Sequence, residues 1–210
     1  MKIIDISMPI RIDMPVYKGR ASKKPSILVE SDFTNGTAHE TRIEMNVHTG
    51  THVDTSLHII PGGSTIDSLD LARVVTPCKV LDFSGLSDDR ISEHHLENRG
   101  IAADDFILLK TRNSLEDILE AEYVYLDKSG AEYLRDIGIR GVGIDALGIE
   151  RSQPGHETHK ILFGAYIIIL EGLLLREVME GDYFLVAAPV LIAGAEAAPV
   201  RAFLMDRSPF

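Results

Sequence analysis

The sequence predicts an α/β fold, a single compact domain in which helices pack on a mixed β-sheet. Short runs typical of β-strands recur along the whole chain, and helical patterns lie between some of them without a regular βαβ rhythm. No internal repeat and no Pro-, Gly- or Ser-rich linker divides the 210 residues, so we expect residues 1–210 to form one domain.

Eight runs rich in apolar, β-branched and aromatic residues predict the strands. In chain order they are residues 2–7, 78–83, 105–110, 122–126, 140–145, 166–170, 183–188 and 199–204. Four segments between the runs predict helices, and these are residues 66–73, 91–98, 129–137 and 153–163. Ser129 is expected to open the third helix, which is expected to end near Gly138.

The composition excludes several classes of protein. An apolar fraction of 45% is too high for an intrinsically disordered chain. Thirty-two acidic against 21 basic residues give a net charge of −11, which argues against a nucleic-acid partner because such proteins need a basic surface. The longest charge-free stretch, residues 183–195, is too short to span a bilayer, so no membrane partner is expected.

The single cysteine, Cys78, excludes an intrachain disulfide and fits a reducing compartment. The first ten residues are unlike a signal peptide, because Asp5 interrupts the apolar stretch that such a peptide needs. We therefore expect a cytoplasmic protein. Cys78 itself is expected to be a small buried strand residue, since no base lies near it in the sequence to make it a nucleophile.

The residues most typical of a metal-binding or catalytic site form a histidine cluster between residues 48 and 58. His48, His52, Asp54 and His58 all occupy even positions, and alternate side chains of an extended chain share one face. The Cα atoms of His52 and Asp54 would be about 6.6 Å apart, close enough for both side chains to bind one metal ion. His48 would be about 13 Å from His52 if fully extended. A bend at Gly50 would bring it within reach.

The segment also allows two other interpretations. A helix would also align His48 with His52, but the intervening Thr-Gly-Thr disfavours it, since two β-branched residues and a glycine form helices poorly. The histidines could also be polar loop residues that each cap a backbone group. Three histidines and an aspartate in eleven residues favour a metal site over that alternative.

A second part of the site is predicted near residues 159–175. Glu171 stands between two apolar runs, and a carboxylate in such a place is unfavourable unless it is paired or bound to a metal. His159 lies on the helix predicted before this strand, so the two side chains could converge. The alternative is that Glu171 ends the strand with its carboxylate in water.

Substrate-binding groups are expected after the strand predicted at residues 105–110. Arg112 and Asn113 follow that strand, where α/β folds often place ligand-binding groups. The arginine fork could bind a substrate carboxylate. The alternative is a solvated loop.

The sequence HTGTHVDTSLH followed by IIPGGSTID resembles the signature of the cyclase-like metal-dependent hydrolases, the family that includes bacterial kynurenine formamidase. The resemblance extends over nearly the whole chain. It includes IDISMPI near the start, ILLKTRNS at 107–114, VGIDALGIE at 142–150, HKILFGAYIIILE at 159–171 and the final segment that begins GDYFLVAAPV.

The resemblance implies a site with one or two divalent ions, often zinc, with manganese as the alternative. The positions that match the family's metal ligands are His48, His52, Asp54, His159 and Glu171. Asp54 would bridge two ions, and His58 matches the catalytic histidine that acts as acid and base. The resemblance also implies the swivelling β/β/α fold of the cyclase and kynurenine formamidase proteins, often assembled as homodimers.

The activity implied is hydrolysis of an amide or formamide in a small-molecule substrate. The specific reaction expected is that of an arylformamidase in tryptophan catabolism, which converts N-formylkynurenine to kynurenine and formate. Two alternatives remain open: the same metal chemistry on a cyclic amide, imide or lactone, and a metal-binding protein without catalysis.

The chain departs from the family pattern at two places. Ser56 stands where the family usually has proline, and the loss of that proline is expected to loosen the turn that aims His58. The chain also has no tryptophan, whereas kynurenine formamidases commonly place one near their N-terminal Pro-x-x-Gly stretch. Tyr17 occupies the corresponding place in MPVYKG, and its ring could stack on an aromatic substrate.

Overall fold

A mixed β-sheet forms the centre of the structure, a computed structural model that describes residues 2–116, 122–151 and 153–206. The strands are β1 (Ile3–Asp5), β2 (Ser26–Ser31), β3 (Glu40–Glu44), β4 (His52–Asp54), β5 (Val75–Phe83), β6 (Arg90–Ile91), β7 (Phe106–Thr111), β8 (Tyr125–Leu126), β9 (Gly141–Ile144), β10 (Ile168–Glu171), β11 (Gly181–Val186), β12 (Ala197–Pro199) and β13 (Phe203–Met205). The helices are α1 (Glu93–Leu96), α2 (Asn113–Glu116), α3 (Lys128–Ile137) and α4 (Glu157–Gly164).

Nine of the described strands form one sheet in the order β1-β13-β11-β5-β7-β9-β10-β4-β12. The four central strands β5, β7, β9 and β10 run parallel to one another. Antiparallel strands flank them on both sides. Strands β7, β9 and β10 are buried on both faces, as expected for parallel strands that are covered on both sides.

The core lies on both faces of the sheet. Alternate residues of β7 point to opposite sides, so that Ile107 and Leu109 join one apolar cluster while Phe106 and Leu108 join the other. Helices α3 and α4 cover the first cluster, to which they contribute buried leucines. The second cluster is closed by side chains from the antiparallel half of the sheet.

The predicted α/β class with a mixed sheet is confirmed, and each of the eight predicted strand runs contains strand residues. The last run divides between β12 and β13. The expected helix over 66–73 is wrong, because two separate 3₁₀ turns, Ile66–Ser68 and Leu71–Arg73, occupy that segment. The helix expected within 153–163, starting after Pro154 or Gly155, begins at Glu157, and the helix expected over 91–98 is the single turn α1.

Helix α3 is capped by a different residue from the one expected. Asp127, not Ser129, is the N-cap, because its carboxylate accepts a hydrogen bond from the backbone N–H of Gly130. Gly138 ends the helix as expected, in the left-handed conformation with φ of 80°. Cys78 is buried in β5, as expected, and burial raises the pKa of its thiol.

Two features were not predicted from the sequence. The hairpin formed by β2 and β3 lies outside the main sheet and is largely exposed. The short strand β4 was foreseen only as an extended segment of the histidine motif. Within the described part of the chain, no helix combines the length and apolar character that crossing a bilayer requires.

The pairing of β4 with β10 positions the two halves of the candidate site. The strands are antiparallel, and His52 lies directly opposite Glu171. Gly50 precedes β4 with φ of +74°, and Gly172 follows β10 with φ of +70°. A Cβ atom on Gly172 would overlap the carbonyl oxygen of Gly50, so the two segments meet backbone to backbone. Both conformation and space therefore require glycine at residue 172.

Replacing Gly172 with Ala should lower the free energy of unfolding by about 3 kcal/mol or more, because a backbone overlap adds to the strain of a positive φ. Gly62→Ala is the matched control, since Gly62 has φ of +74° but nothing within 4 Å of an added Cβ. The control should lose only about 1 kcal/mol. Urea denaturation followed by circular dichroism measures both losses. Equal losses in the two variants would contradict the proposed backbone contact.

Candidate metal centre

Four segments of the chain bring five histidine and carboxylate side chains together. His48 comes from the turn before β4, and His52 and Asp54 lie two residues apart on β4 and so share a face. Glu171 is the last residue of β10, and His159 lies on α4. Sequence separations of more than a hundred residues are closed by the β4–β10 pairing and by the packing of α4 beside β10.

The β4 side of the cluster is tightly spaced. His48 Nδ1 lies 3.0 Å from Asp54 Oδ1, and His52 Nε2 lies 3.3 Å from the same oxygen. His52 Nε2 is also 3.3 Å from Glu171 Oε2. A single carboxylate oxygen of Asp54 therefore faces two imidazoles, an arrangement that matches ligands around one ion.

The other oxygen of Asp54 faces the α4 side of the cluster. His159 Nε2 lies 3.9 Å from Asp54 Oδ2 and 3.5 Å from Glu171 Oε1. The two oxygens of Asp54 thus point at different imidazoles.

Several buried polar atoms in this cluster lack a hydrogen-bond partner. They are His52 Nε2, both carboxylate oxygens of Asp54, and both ring nitrogens of His159. Leaving one such group unpaired in the interior is unfavourable, and here several converge on one point. Divalent cations would satisfy His52 Nε2, His159 Nε2 and the Asp54 oxygens, because neutral imidazole nitrogens and carboxylate oxygens are their ligands. His159 Nδ1 instead faces Glu150 Oε1 at 3.1 Å. The residues present therefore fit a divalent metal.

The pKa of each of three side chains in the cluster depends on the charges of its neighbours. Burial alone would lower the pKa of His52, but Asp54 and Glu171 outweigh it and raise the pKa to about 9. The pKa of His159 is raised to about 10, because Glu150 and Glu171 outweigh burial. Burial would raise the pKa of Glu171, but the two imidazoles hold it well below its usual value. The carboxylates require positive charge, which imidazole protons or a metal cation can supply.

A surrounding set of polar groups orients the cluster. His52 Nδ1 donates a hydrogen bond to the carbonyl oxygen of Gly50 at 2.8 Å, which turns Nε2 toward the carboxylates. The backbone N–H of Ile149 donates to Glu171 Oε1 at 2.6 Å. Such outer contacts fix the tautomer and direction of ligand side chains.

Three residues near the cluster were not identified from the sequence. Glu150 Oε1 lies 3.1 Å from His159 Nδ1 and 2.6 Å from His156 Nδ1. Glu196 Oε1 lies 3.3 Å from His48 Nε2. A signal was present, because Glu150 ends ALGIE and Glu196 interrupts AGAEAAPV. Each is a lone acid beside apolar residues, the same pattern that identified Glu171.

His58 lies beside the cluster on a 3₁₀ turn. Its ring centre is 4.1 Å from that of His48 and 5.6 Å from that of His159. Burial lowers the pKa of His58 to about 4, opposed by Asp54 and assisted by the neighbouring imidazoles. The His58 imidazole therefore lies against the cluster of histidines and carboxylates.

Hydrogen bonds fix the turn that carries His58. Ser56 Oγ accepts a hydrogen bond from the backbone N–H of Ser64 at 2.8 Å, and the N–H of Leu57 donates to the carbonyl of Ser64 at 3.1 Å. Gly63 packs so closely on this turn that a Cβ there would overlap the backbone of Ser56. The serine thus contributes a restraint in place of the proline ring.

A cavity of about 130 Å³ opens beside the cluster. His58, Glu171 and Tyr17 are among its lining residues, so the aromatic side chain predicted at the site is present there. Lys23 also lines the cavity and was not predicted. The cavity can therefore present an organic substrate to the histidine and carboxylate cluster.

The structure does not bring Arg112 and Asn113 to this cavity. Arg112 Nη1 donates to the carbonyl oxygens of Leu86 and Asp88 at 2.9 and 2.8 Å. Asn113 is buried and exchanges two hydrogen bonds with the backbone of Val124, at 2.9 and 2.8 Å. Both side chains satisfy backbone groups of neighbouring segments, which explains their polarity without a ligand.

Comparison with known proteins agrees with these features. A family model described as putative cyclase matches residues 4–151. Kynurenine formamidase of Bacillus cereus is 30% identical over 207 residues, with 96% of each chain covered.

Two solved structures are more similar in sequence. A protein described as a potential metal-dependent hydrolase with cyclase activity is 47% identical, with a TM-score of 0.91 and 99% of each chain covered. A predicted metal-dependent hydrolase from Bacillus stearothermophilus is also 47% identical, with a TM-score of 0.90 and 98% of each chain covered.

Asp54→Asn should release bound divalent metal, because the substitution removes the charge of the carboxylate that faces the imidazoles on both sides. Metal content after dialysis, measured by mass spectrometry, should fall well below that of the unsubstituted protein. His39→Ala is the control, since His39 is exposed and belongs to none of the candidate metal-binding groups found among the described residues. Full metal retention by Asp54→Asn, or equal loss in His39→Ala, would contradict the assignment.

Proposed function

The chain belongs to the putative cyclase family and is a hydrolase of amide C–N bonds, and we propose that its substrate is N-formylkynurenine. The observation that carries the proposal is the buried cluster of histidines and carboxylates with unpaired polar atoms beside a small cavity. A relative named kynurenine formamidase, similar along almost the whole chain, supports the choice of substrate.

Five side chains would hold the metal. We propose that His48, His52 and Asp54 bind one ion and that His159 and Glu171, with Asp54 between the two, bind a second. The absence of thiolates from the donor set favours a catalytic over a structural site, and its nitrogen and oxygen ligands suit Zn²⁺ or Mn²⁺. When bound, the metal supplies a Lewis acid that polarises the carbonyl and makes water nucleophilic near neutral pH.

His58 is the proposed acid and base. Its imidazole lies against the rings of His48 and His159 and lines the cavity, so it faces the place where a carbonyl would react. A ring nitrogen of His58 would accept a proton from the attacking water and then give it to the leaving amine nitrogen. The C–N bond breaks in that step, and formate and the free aromatic amine of kynurenine leave.

The cavity supports a substrate with a small acyl group on an aromatic amine. At about 130 Å³ it can admit a formyl group and part of a ring, and Tyr17 offers a face on which that ring can stack. Carboxylates and imidazoles form most of the polar lining, so a polar carbonyl compound would meet hydrogen-bonding groups there.

The family resemblance supports three further proposals about the protein in the cell. We infer that zinc is the native metal, that the chain acts as a homodimer of single-domain subunits, and that it works in the cytoplasm. Native mass spectrometry of the purified protein reports both the subunit number and the metal.

His58→Ala should leave metal content intact and reduce kcat by about 10²–10⁴-fold, the usual contribution of a general acid or base. Metal analysis and steady-state kinetics on the same preparation separate the two effects. His58 also lies close enough to His48 and Asp54 to bind a metal ion. If His58→Ala lost its metal as well as its activity, His58 would be a ligand instead.

A substrate panel on protein of known metal content tests the proposed reaction. Hydrolysis of N-formylkynurenine, followed by the absorbance of kynurenine, should exceed that of cyclic amides, imides and lactones. Faster hydrolysis of a cyclic compound would be consistent with metal-dependent hydrolysis but would contradict N-formylkynurenine as the substrate. Failure on the whole panel with metal bound would indicate a metal-binding protein without this activity.

A further inference from the structure

We propose that Lys23 binds a carboxylate of the substrate, so that the enzyme selects aromatic amides that carry a negative charge away from the bond that breaks. The inference rests on the proposed function and adds the specificity-determining residue to it. It assigns to Lys23 the carboxylate recognition that the sequence suggested for Arg112.

Lys23 contributes the one ammonium or guanidinium group among the described residues that line the cavity. The other polar groups of the lining are mainly imidazoles and carboxylates, such as His58, Glu150 and Glu171. The chain has a net charge of −11, so the positive charge of this lysine is opposite in sign to that of the protein as a whole. The lysine is thus placed where an anionic group would otherwise be repelled.

The charge of Lys23 is not neutralised by a carboxylate anywhere in the described residues. Its Nζ instead lies 5.4 Å from the centre of the Tyr17 ring. Other partly buried lysines are paired: Lys79 lies 2.6 Å from Asp105, and Lys110 lies 3.1 Å from Asp82. Lys23 therefore retains its hydrogen-bonding capacity for a ligand.

The backbone of Lys23 is tied to the metal-binding segment. Thr49 is buried, and its hydroxyl donates a hydrogen bond to the carbonyl oxygen of Lys23 at 3.0 Å. Thr49 is also the residue next to His48. The hydrogen bond consequently holds the base of the lysine side chain at a set distance from the proposed metal ligands.

Tyr17 places an aromatic surface next to the ammonium group. Tyr17 Cε2 would lie 3.4 Å from a Cβ at residue 148, so the ring is in close reach of the loop that contains Gly148. Tyr17 and Lys23 together offer a stacking face and a cation. This pair suits an aromatic amide whose other substituent is a carboxylate.

The test compares N-formylkynurenine with its methyl ester, in which the formamide is unchanged and the carboxylate charge is gone. The metal-loaded enzyme should show a KM about tenfold lower for the acid, as expected for a charge-assisted hydrogen bond. Lys23→Met should abolish this preference by raising KM for the acid, with a smaller effect on kcat. Lys23→Arg should restore part of the preference, because the charge returns.

Lys24→Met is the matched control, since Lys24 is the exposed neighbour and does not line the cavity. It should keep the preference for the acid. A second readout without turnover is calorimetric binding of kynurenine and of kynurenine methyl ester, whose difference in affinity should disappear in Lys23→Met.

The outcomes separate the two proposals. Hydrolysis of both formamides with equal KM in the unsubstituted enzyme would overturn the role of Lys23 and leave the reaction standing. A preference for the acid that survives in Lys23→Met would do the same. Hydrolysis of neither compound would overturn the proposed reaction, and the inference about Lys23 with it.

Discussion

The arrangement of the candidate site depends on two negatively charged carboxylates that are buried in the protein interior. Asp54 and Glu171 lie on adjacent strands near the end of a buried sheet, and both are almost completely shielded from water. Carboxylates in such a place are stable only with compensating positive charge. The imidazoles of His48, His52 and His159 lie 3.0–3.5 Å from them, close enough to supply that charge as protons or to share a cation with them. The close approach of Gly50 and Gly172, and the backbone hydrogen bonds to His52 and Glu171, hold these side chains together.

The β-sheet fixes the relative positions of the side chains in that cluster. Antiparallel pairing sets His52 opposite Glu171, and a shift by one residue would turn one of the two side chains to the other face. The apolar clusters on both sides of the sheet restrain the strands that carry these residues. Loops supply the more adaptable parts: Tyr17 and Lys23 come from 3₁₀ turns at the cavity, and His58 from another. The proposed metal ligands thus lie mainly on strands and a helix, whereas the residues proposed to recognise the substrate lie on 3₁₀ turns.

The cavity joins the metal chemistry to a choice of substrate. Hydrolysis of an amide requires activation of water and protonation of a leaving nitrogen, and the proposed metal ligands and His58 lie together at one end. Selection among amides depends on groups that do not take part in that chemistry. Tyr17 and Lys23 are the groups proposed for this role, and a ring combined with a positive charge would restrict the choice of substrate more than an apolar pocket alone. A substrate bearing a ring and a carboxylate would use both.

The sequence by itself determined the α/β class, the motif of clustered histidines and carboxylates, and the face that His52 and Asp54 share, because strand alternation and turn geometry act over a few residues. Even the lone acid at Glu171 was a local signal. Only the tertiary structure decided that Lys23 faces the cavity and that Arg112 instead holds a neighbouring loop, although both are basic residues in polar segments. Charge and polarity show that a side chain needs a partner, but which partner it meets depends on how distant segments pack, and that is a property of the whole fold.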